Sequence, residues 1–76
     1  MNLLEKYKEI THTRRMEIMS GIAKKLRNSL HGVYITKQLV EGKIPEHEIE
    51  YINKVFDKQL NWQRIQEVNH YKNLYN

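Results

Sequence analysis

Apolar residues recur at helical spacing along most of the chain. Ile18, Ile22, Leu26 and Leu30 follow one another every four residues, and Met19, Ala23 and Val33 widen them into a stripe. Toward the N-terminus, Leu3, Leu4, Tyr7 and Ile10 form a similar stripe, interrupted across Thr11–Arg15. The pattern predicts a first helix over about 3–41, with a kink or phase shift near Thr13. In the second half, Ile49, Ile52, Phe56 and Leu60 define one face, broadened by Val55, Trp62, Ile65 and Val68. Tyr71, Leu74 and Tyr75 continue it, so a second helix is expected over about 45–74.

One strong break separates the two, at Glu41-Gly42-Lys43-Ile44-Pro45. Gly42 suits the left-handed position past a helix end, and Pro45 suits the first turn of the next helix. Glu46, Glu48 and Glu50 then crowd a helix start, where negative charge complements the dipole. The stretches 13–41 and 45–73 match in length, each ~43 Å at 1.5 Å per residue. Matched helices across a turn at 42–45 pack antiparallel, so the expected fold is all-α: one domain, residues 1–76, built as a two-helix hairpin. Its expected core is Ile18, Ile22, Leu26, Leu30, Val33, Ile49, Ile52, Phe56 and Leu60. A two-helix monomer of this size buries too little to be stable, and the chain has no cysteine to staple it. A homodimer forming a four-helix bundle is therefore expected.

Charge adds direction. The net charge of +4 is uneven: residues 1–43 are strongly basic, whereas 44–76 carry a slight acidic excess. A basic first half suits nucleic acid or an acidic protein surface. No apolar run approaches the ~20 residues of a membrane span. Met1–Leu4 leads straight into the charged Glu5–Lys8 with no signal-peptide pattern, so a cytoplasmic protein without membrane contact is expected.

Candidate chemistry is sparse. His12, His31, His47 and His70 are scattered, and none pairs with another at the i,i+4 spacing of a helical zinc site. Gly21, Gly32 and Gly42 lie too far apart for a phosphate-binding loop. Ser20 and Ser29 have no implied base. The aromatics sit at helical spacing and read as core or interface. The chain is expected to be no enzyme, with no cofactor, metal or small-molecule substrate.

Two resemblances fall on residues 16–43. Ile22-Ala23-Lys24-Lys25-Leu26, then Ser29, then Val33-Tyr34 resembles the helix-turn-helix of DNA-binding regulators. Arg27 stands where that motif usually has its turn glycine, and Asn28 where a buried aliphatic residue follows. The longer resemblance runs from Met16 to Val33, through Leu26-Arg27-Asn28 and Leu30. It is similar to the first helix of the dimerisation and phosphoacceptor domain of sensor histidine kinases. Leu39–Lys43, Pro45-Glu46 and Glu50–Ile52 are similar to that domain's turn and second helix. In this alignment the phosphoacceptor histidine falls on Lys24, the acid after it on Lys25, and the usual proline on Ser29. Aligned with a related kinase subfamily, the histidine falls on Arg27 and its aspartate on Asn28. The acceptor is replaced by a cation either way, and neither Lys nor Arg can serve as the neutral imidazole nucleophile. His31, seven residues after Lys24, is the remaining substitute acceptor.

The kinase resemblance implies a degenerate, free-standing copy of that domain, acting as a small regulatory protein through protein–protein contact. Its partner-binding residues would be Lys24, Lys25, Arg27, Asn28 and His31, facing an acidic partner such as a response regulator or a histidine kinase. The alternative is a DNA-binding regulator that sets Arg14, Arg15, Lys24, Lys25 and Arg27 on phosphates. A third reading, from the Lys/Asn/Ile/Tyr-rich composition, is a phage- or plasmid-type accessory subunit.

Overall fold

A computed structural model describes the backbone of residues 1–75 and their side chains except at Tyr71 and positions 73–75. The predicted extension of the apolar stripe through Tyr71, Leu74 and Tyr75 lies outside the described side chains. Among the described residues there are four helices and no strand: α1 (Leu3–Glu9), α2 (His12–Arg27), α3 (Val33–Glu41) and α4 (Glu46–Tyr75). The all-α expectation stands. The single first helix over 3–41 does not, because three helices occupy that span.

The first break sits at Ile10, which is extended (φ −71°, ψ 134°) and buries its side chain in the core. Breaking a helix strands backbone groups that must find partners. Two side chains supply them here. Arg15 donates to the carbonyls of Ile10 (2.9 Å) and Lys8 (2.7 Å), with its guanidinium 5.1 Å from the Tyr7 ring centre. Gln63 of α4 accepts from the Thr11 amide (3.0 Å) and donates to the Glu9 carbonyl (3.1 Å). At its other end α1 opens on a capping box made by Asn2 and Glu5.

The second break follows Arg27. Asn28 is left-handed (φ 49°, ψ 40°), a conformation that Asn tolerates better than most residues. The Ser29 hydroxyl then accepts from the His31 amide at 3.2 Å, holding the turn. Gly32 presses against α2 itself. A Cβ built on it would lie 2.6 Å from the Met19 carbonyl carbon and 2.8 Å from the Met19 oxygen. The turn thus doubles back, and α3 starts beside the middle of α2.

The third break is the predicted one. Gly42 is left-handed (φ 70°), its amide donates to Leu39 and the Lys43 amide to Gln38 at 2.7 Å, which together make a Schellman cap. Helix α4 starts just after Pro45, as expected.

Phase resets at each break, so the core differs from the predicted one. It holds Ile10, Met19, Ile22, Ala23, Ile35, Leu39, Ile52 and Phe56, with Ile18, Leu26 and Leu60 packed partly against it. Leu30 (75% exposed), Val33 (65%) and Ile49 are corrections, all left exposed. Leu30 falls in the turn, and α3 buries Ile35 and Leu39, one turn apart, instead of Val33.

Helix α2 runs antiparallel to α4, with Arg27 meeting Glu48 at one end and Arg14 over Trp62 at the other. The 30 residues of α4 reach ~45 Å. That length spans the 46 Å long axis of the molecule. The radius of gyration is 14.0 Å, against ~11 Å for a globular chain of this size. The excess comes from the distal part of α4. Arg14 of α2 lies over Trp62 and Gln63 bonds the α1–α2 break, and every residue from Arg64 to His70 is exposed.

Candidate interaction surfaces

The structure separates the predicted site residues into two sets. Arg27 belongs to the fold. Its Nη2 donates to Glu48 Oε1 at 2.6 Å and its Nε to Oε2 at 3.3 Å, a two-point contact joining α2 to the first turn of α4. The Glu48 side chain is only 7% exposed. The hydrogen bond from Arg27 holds the Glu48 carboxyl below its usual range, against the opposing effect of burial, with the positive charge of Arg27 adding to it. The same contact raises Arg27 above its ordinary value. Arg15 is equally committed, to the α1–α2 break. Arg14 pairs with Glu17 at 3.2 Å and lies 5.6 Å from the Trp62 ring centre. Asn28 caps α2, and His31 is exposed in the turn that follows.

Lys24 and Lys25 form the other set. Both are exposed in the last turn of α2, and neither makes an ion pair among the described residues. Their position complements the negative end of the helix dipole. Of the five cations expected to contact phosphate, then, three are tied into contacts within the fold and two remain outward.

The segment Met16–Val33, similar to the first kinase-domain helix, is not one helix here. It spans most of α2, the turn and the first residue of α3. The helix-turn-helix resemblance coincides with a real helix, turn and helix, although the turn runs from Asn28 to Gly32 and is longer than the three to four residues of that motif.

Three grooves were not foreseen, and two of them bear on binding. The larger, about 570 Å³, lies among α1, the end of α3 and the start of α4, lined by Leu3, Leu4, Val40, Ile44, Ile49 and Asn53 among others. No charged side chain lines it. The smaller, about 270 Å³, runs between α2 and α4 and is lined by Arg14, Ile18, Val55, Lys58, Gln59 and Trp62. Apolar floor and cationic rim meet there. Beyond Trp62 its line continues onto the exposed α4 residues Ile65 and Val68. The signal for both grooves was present as apolar residues in excess of what two buried helix faces need, but assigning them to a surface required the breaks.

Among the described residues, no group of three or more His, Cys, Asp or Glu side chains is placed to hold a metal ion. No helix is long and apolar enough to cross a membrane. No protein-family model, curated protein or solved structure matches the chain.

Proposed function

We propose that this chain is a small non-catalytic regulatory protein that works by binding other proteins, pairing with a second copy and docking an acidic partner. One observation carries the reading. The chain exposes 6003 Å², whereas a folded monomer of 9.3 kDa exposes roughly 5,000 Å². The difference, on the order of 1,000 Å², resembles the ~800 Å² that each partner contributes to a standard protein interface. Much of the exposed surface is apolar: Met16, Leu30, Val33, Tyr34, Val40, Trp62, Ile65 and Val68 are each about half exposed or more.

The groove lined by Leu3, Leu4, Val40 and Ile49, with no charged side chain in its lining, suits a second copy, since twofold pairing there covers apolar surface on both partners. The cations Lys24, Lys25 and Lys58, exposed and without ion pairs among the described residues, suit an acidic protein. The kinase-domain resemblance narrows that partner to a response regulator or a histidine kinase. The phage- or plasmid-type origin is compatible with the same mode of action.

The test is photo-crosslinking in the source cells from a benzophenone side chain at position 24 or 25, with position 46 as control. An adduct specific to positions 24 and 25, lost in Lys24→Glu/Lys25→Glu, is expected. Equal adducts at all three positions would refute the docking face. For self-pairing, sedimentation should give a dimer that Val40→Asp dissociates; a monomer at 100 µM would remove it.

DNA binding is the second reading, favoured by the helix–turn–helix at α2–α3, whose α3 exposes Tyr34 and Lys37. It requires affinity for a random duplex that falls linearly with log salt. No shift onto the duplex at 50 mM salt would eliminate it.

A further inference from the structure

We propose that the outer face of distal α4 binds an amphipathic helix bearing acidic flanks, an inference that rests on the acidic-partner reading and names the element the partner uses. At about 100° per residue, Lys58, Trp62, Ile65, Val68, Asn69 and Lys72 fall within roughly 60° of Ile65 on the helix wheel. All are exposed, with Trp62 and Ile65 at 49% and Val68 at 54%. The three apolar residues sit at i, i+3 and i+6, one i±3 ridge of the kind that packs into the groove of another helix. Toward the N-terminal end the face runs into the α2/α4 groove through Val55, Lys58 and Trp62, so a bound helix would lie on a floor extending past Ile18.

Charge decides what that helix is. Lysines close the face at both ends, Lys58 and Lys72, ~21 Å apart along the axis. Arg14 lies beside Trp62 with its charge shared with Glu17, so the two lysines set the sign of the face. Between positions 58 and 72 the only acid is Glu67, and it projects from the opposite side of the helix. Asp57, at the edge, is held by Lys6 at 2.7 Å. A second copy laid antiparallel about Ile65 would set Lys58 against the other copy's Lys72, like charge on like. A helix with Glu or Asp beside its apolar stripe meets cations at both ends instead. Trp62, the sole tryptophan of the chain, lies on the face and reports its occupancy.

The test titrates the full chain with three synthetic 21-residue peptides while Trp62 emission is recorded. The first has Leu at heptad positions a and d with Glu at e and g. The second replaces those Glu residues with Lys. The third keeps the first composition with the Leu stripe scrambled. The expected result is a saturable blue shift with the first peptide and at least tenfold weaker binding of the other two. Preference should pass to the Lys peptide in Lys58→Glu/Lys72→Glu, and Ile65→Asp should weaken the first peptide more than tenfold while circular dichroism stays unchanged. Equal binding of the scrambled acidic peptide would overturn the helix inference and leave the acidic-partner reading standing. Failure of both acidic peptides would overturn the proposal for this face, while the acidic-partner reading at Lys24 and Lys25 stands or falls by its own crosslinks. Equal binding of the Glu and Lys peptides would refute the charge argument. A concentration-dependent blue shift without peptide would assign the face to a second copy and overturn the proposal.

Discussion

Gly21 and Gly32 provide a paired perturbation whose two signs separate the observed fold from a continuous first helix. In a continuous helix both positions are interior, and glycine there costs roughly 0.5–1 kcal/mol relative to alanine. Both Gly→Ala substitutions would then stabilise. In the structure only Gly21 meets that description, since a Cβ at that position touches nothing within 4 Å. At Gly32 the new Cβ would lie 2.6, 2.8 and 2.8 Å from the Met19 carbonyl carbon, Cβ and oxygen. Carbon–carbon contacts are comfortable at about 3.5 Å or more, so α2 and the start of α3 would have to part by nearly 1 Å. Backbone atoms cannot swing aside as a side-chain tip can, and Met19 neighbours the buried Ile22 and Ala23. Overpacking of this kind costs about 1–3 kcal/mol.

For a chain of this size each kcal/mol moves Tm by roughly 4–8 °C. Gly21→Ala should therefore raise Tm by about 2–8 °C, and Gly32→Ala should lower it by at least ~4 °C. Thermal denaturation followed by circular dichroism at one protein concentration suffices, the fixed concentration guarding against any linkage to self-association. The close approach of α3 to α2 would be refuted if Gly32→Ala proved neutral or stabilising.

Other expectations follow from the same contacts. Asn28→Gly should stabilise by up to ~1 kcal/mol, since glycine adopts the left-handed conformation without strain; urea denaturation showing a loss would mean that the turn is misplaced. Arg27→Leu should cost roughly 3 kcal/mol, the low end for breaking a buried pair, because Arg27 keeps a quarter of its side-chain surface. The Glu48 carboxyl is depressed, so its contribution is present above the unfolded carboxyl value of about 4.3 and is lost as pH falls through the lower folded value. Glu48→Gln should thus be less stable at pH 7 yet lose less on acidification below pH ~4.3, measured by urea midpoints across pH 2–7; parallel curves would contradict the pairing. Gln63→Ala should speed hydrogen exchange at the Thr11 amide severalfold, and an unchanged rate would mean that the 3.0 Å contact does not protect it.

The parts of the fold that sequence conveyed are those governed by local chemistry. Gly42 with Pro45 marks a helix end and a helix start by backbone conformation alone, and the second helix follows with Ile52 and Phe56 in the core. The break at Ile10 carries no such marker, and the one at Asn28 carries a weaker one, an asparagine where glycine is the commoner left-handed residue. Neither is a glycine or a proline; Gln63, which bonds across the first break, lies 52 residues from Thr11, and Met19, against which the second turn closes, lies 13 residues from Gly32. An apolar stripe that persists through Leu26, Leu30 and Val33 reads as one helix until those distant contacts are known. Once the chain turns at Asn28, Leu30 and Val33 face solvent and Ile35 takes the buried position.

The predicted site divides by residue type, and there is a physical reason. Arg14, Arg15 and Arg27 each use a planar guanidinium for more than one contact at once: a carboxylate and a ring, two carbonyls and a ring, both oxygens of Glu48. A fork with five donors holds several acceptors in one fixed plane at a helix junction. Lys24, Lys25, Lys37 and Lys58, strongly hydrated point charges on flexible stems, stay outside instead. Basic residues in the first half thus serve two separate purposes that net charge merges. The arginines tie α2 to α1 and, at both of its ends, to α4, Lys6 ties α1 to α4, and the exposed lysines set the sign of the surface. Charge reversal at Arg27 would consequently confound loss of binding with loss of fold, whereas reversal at Lys24 and Lys25 changes the surface and leaves the junctions intact.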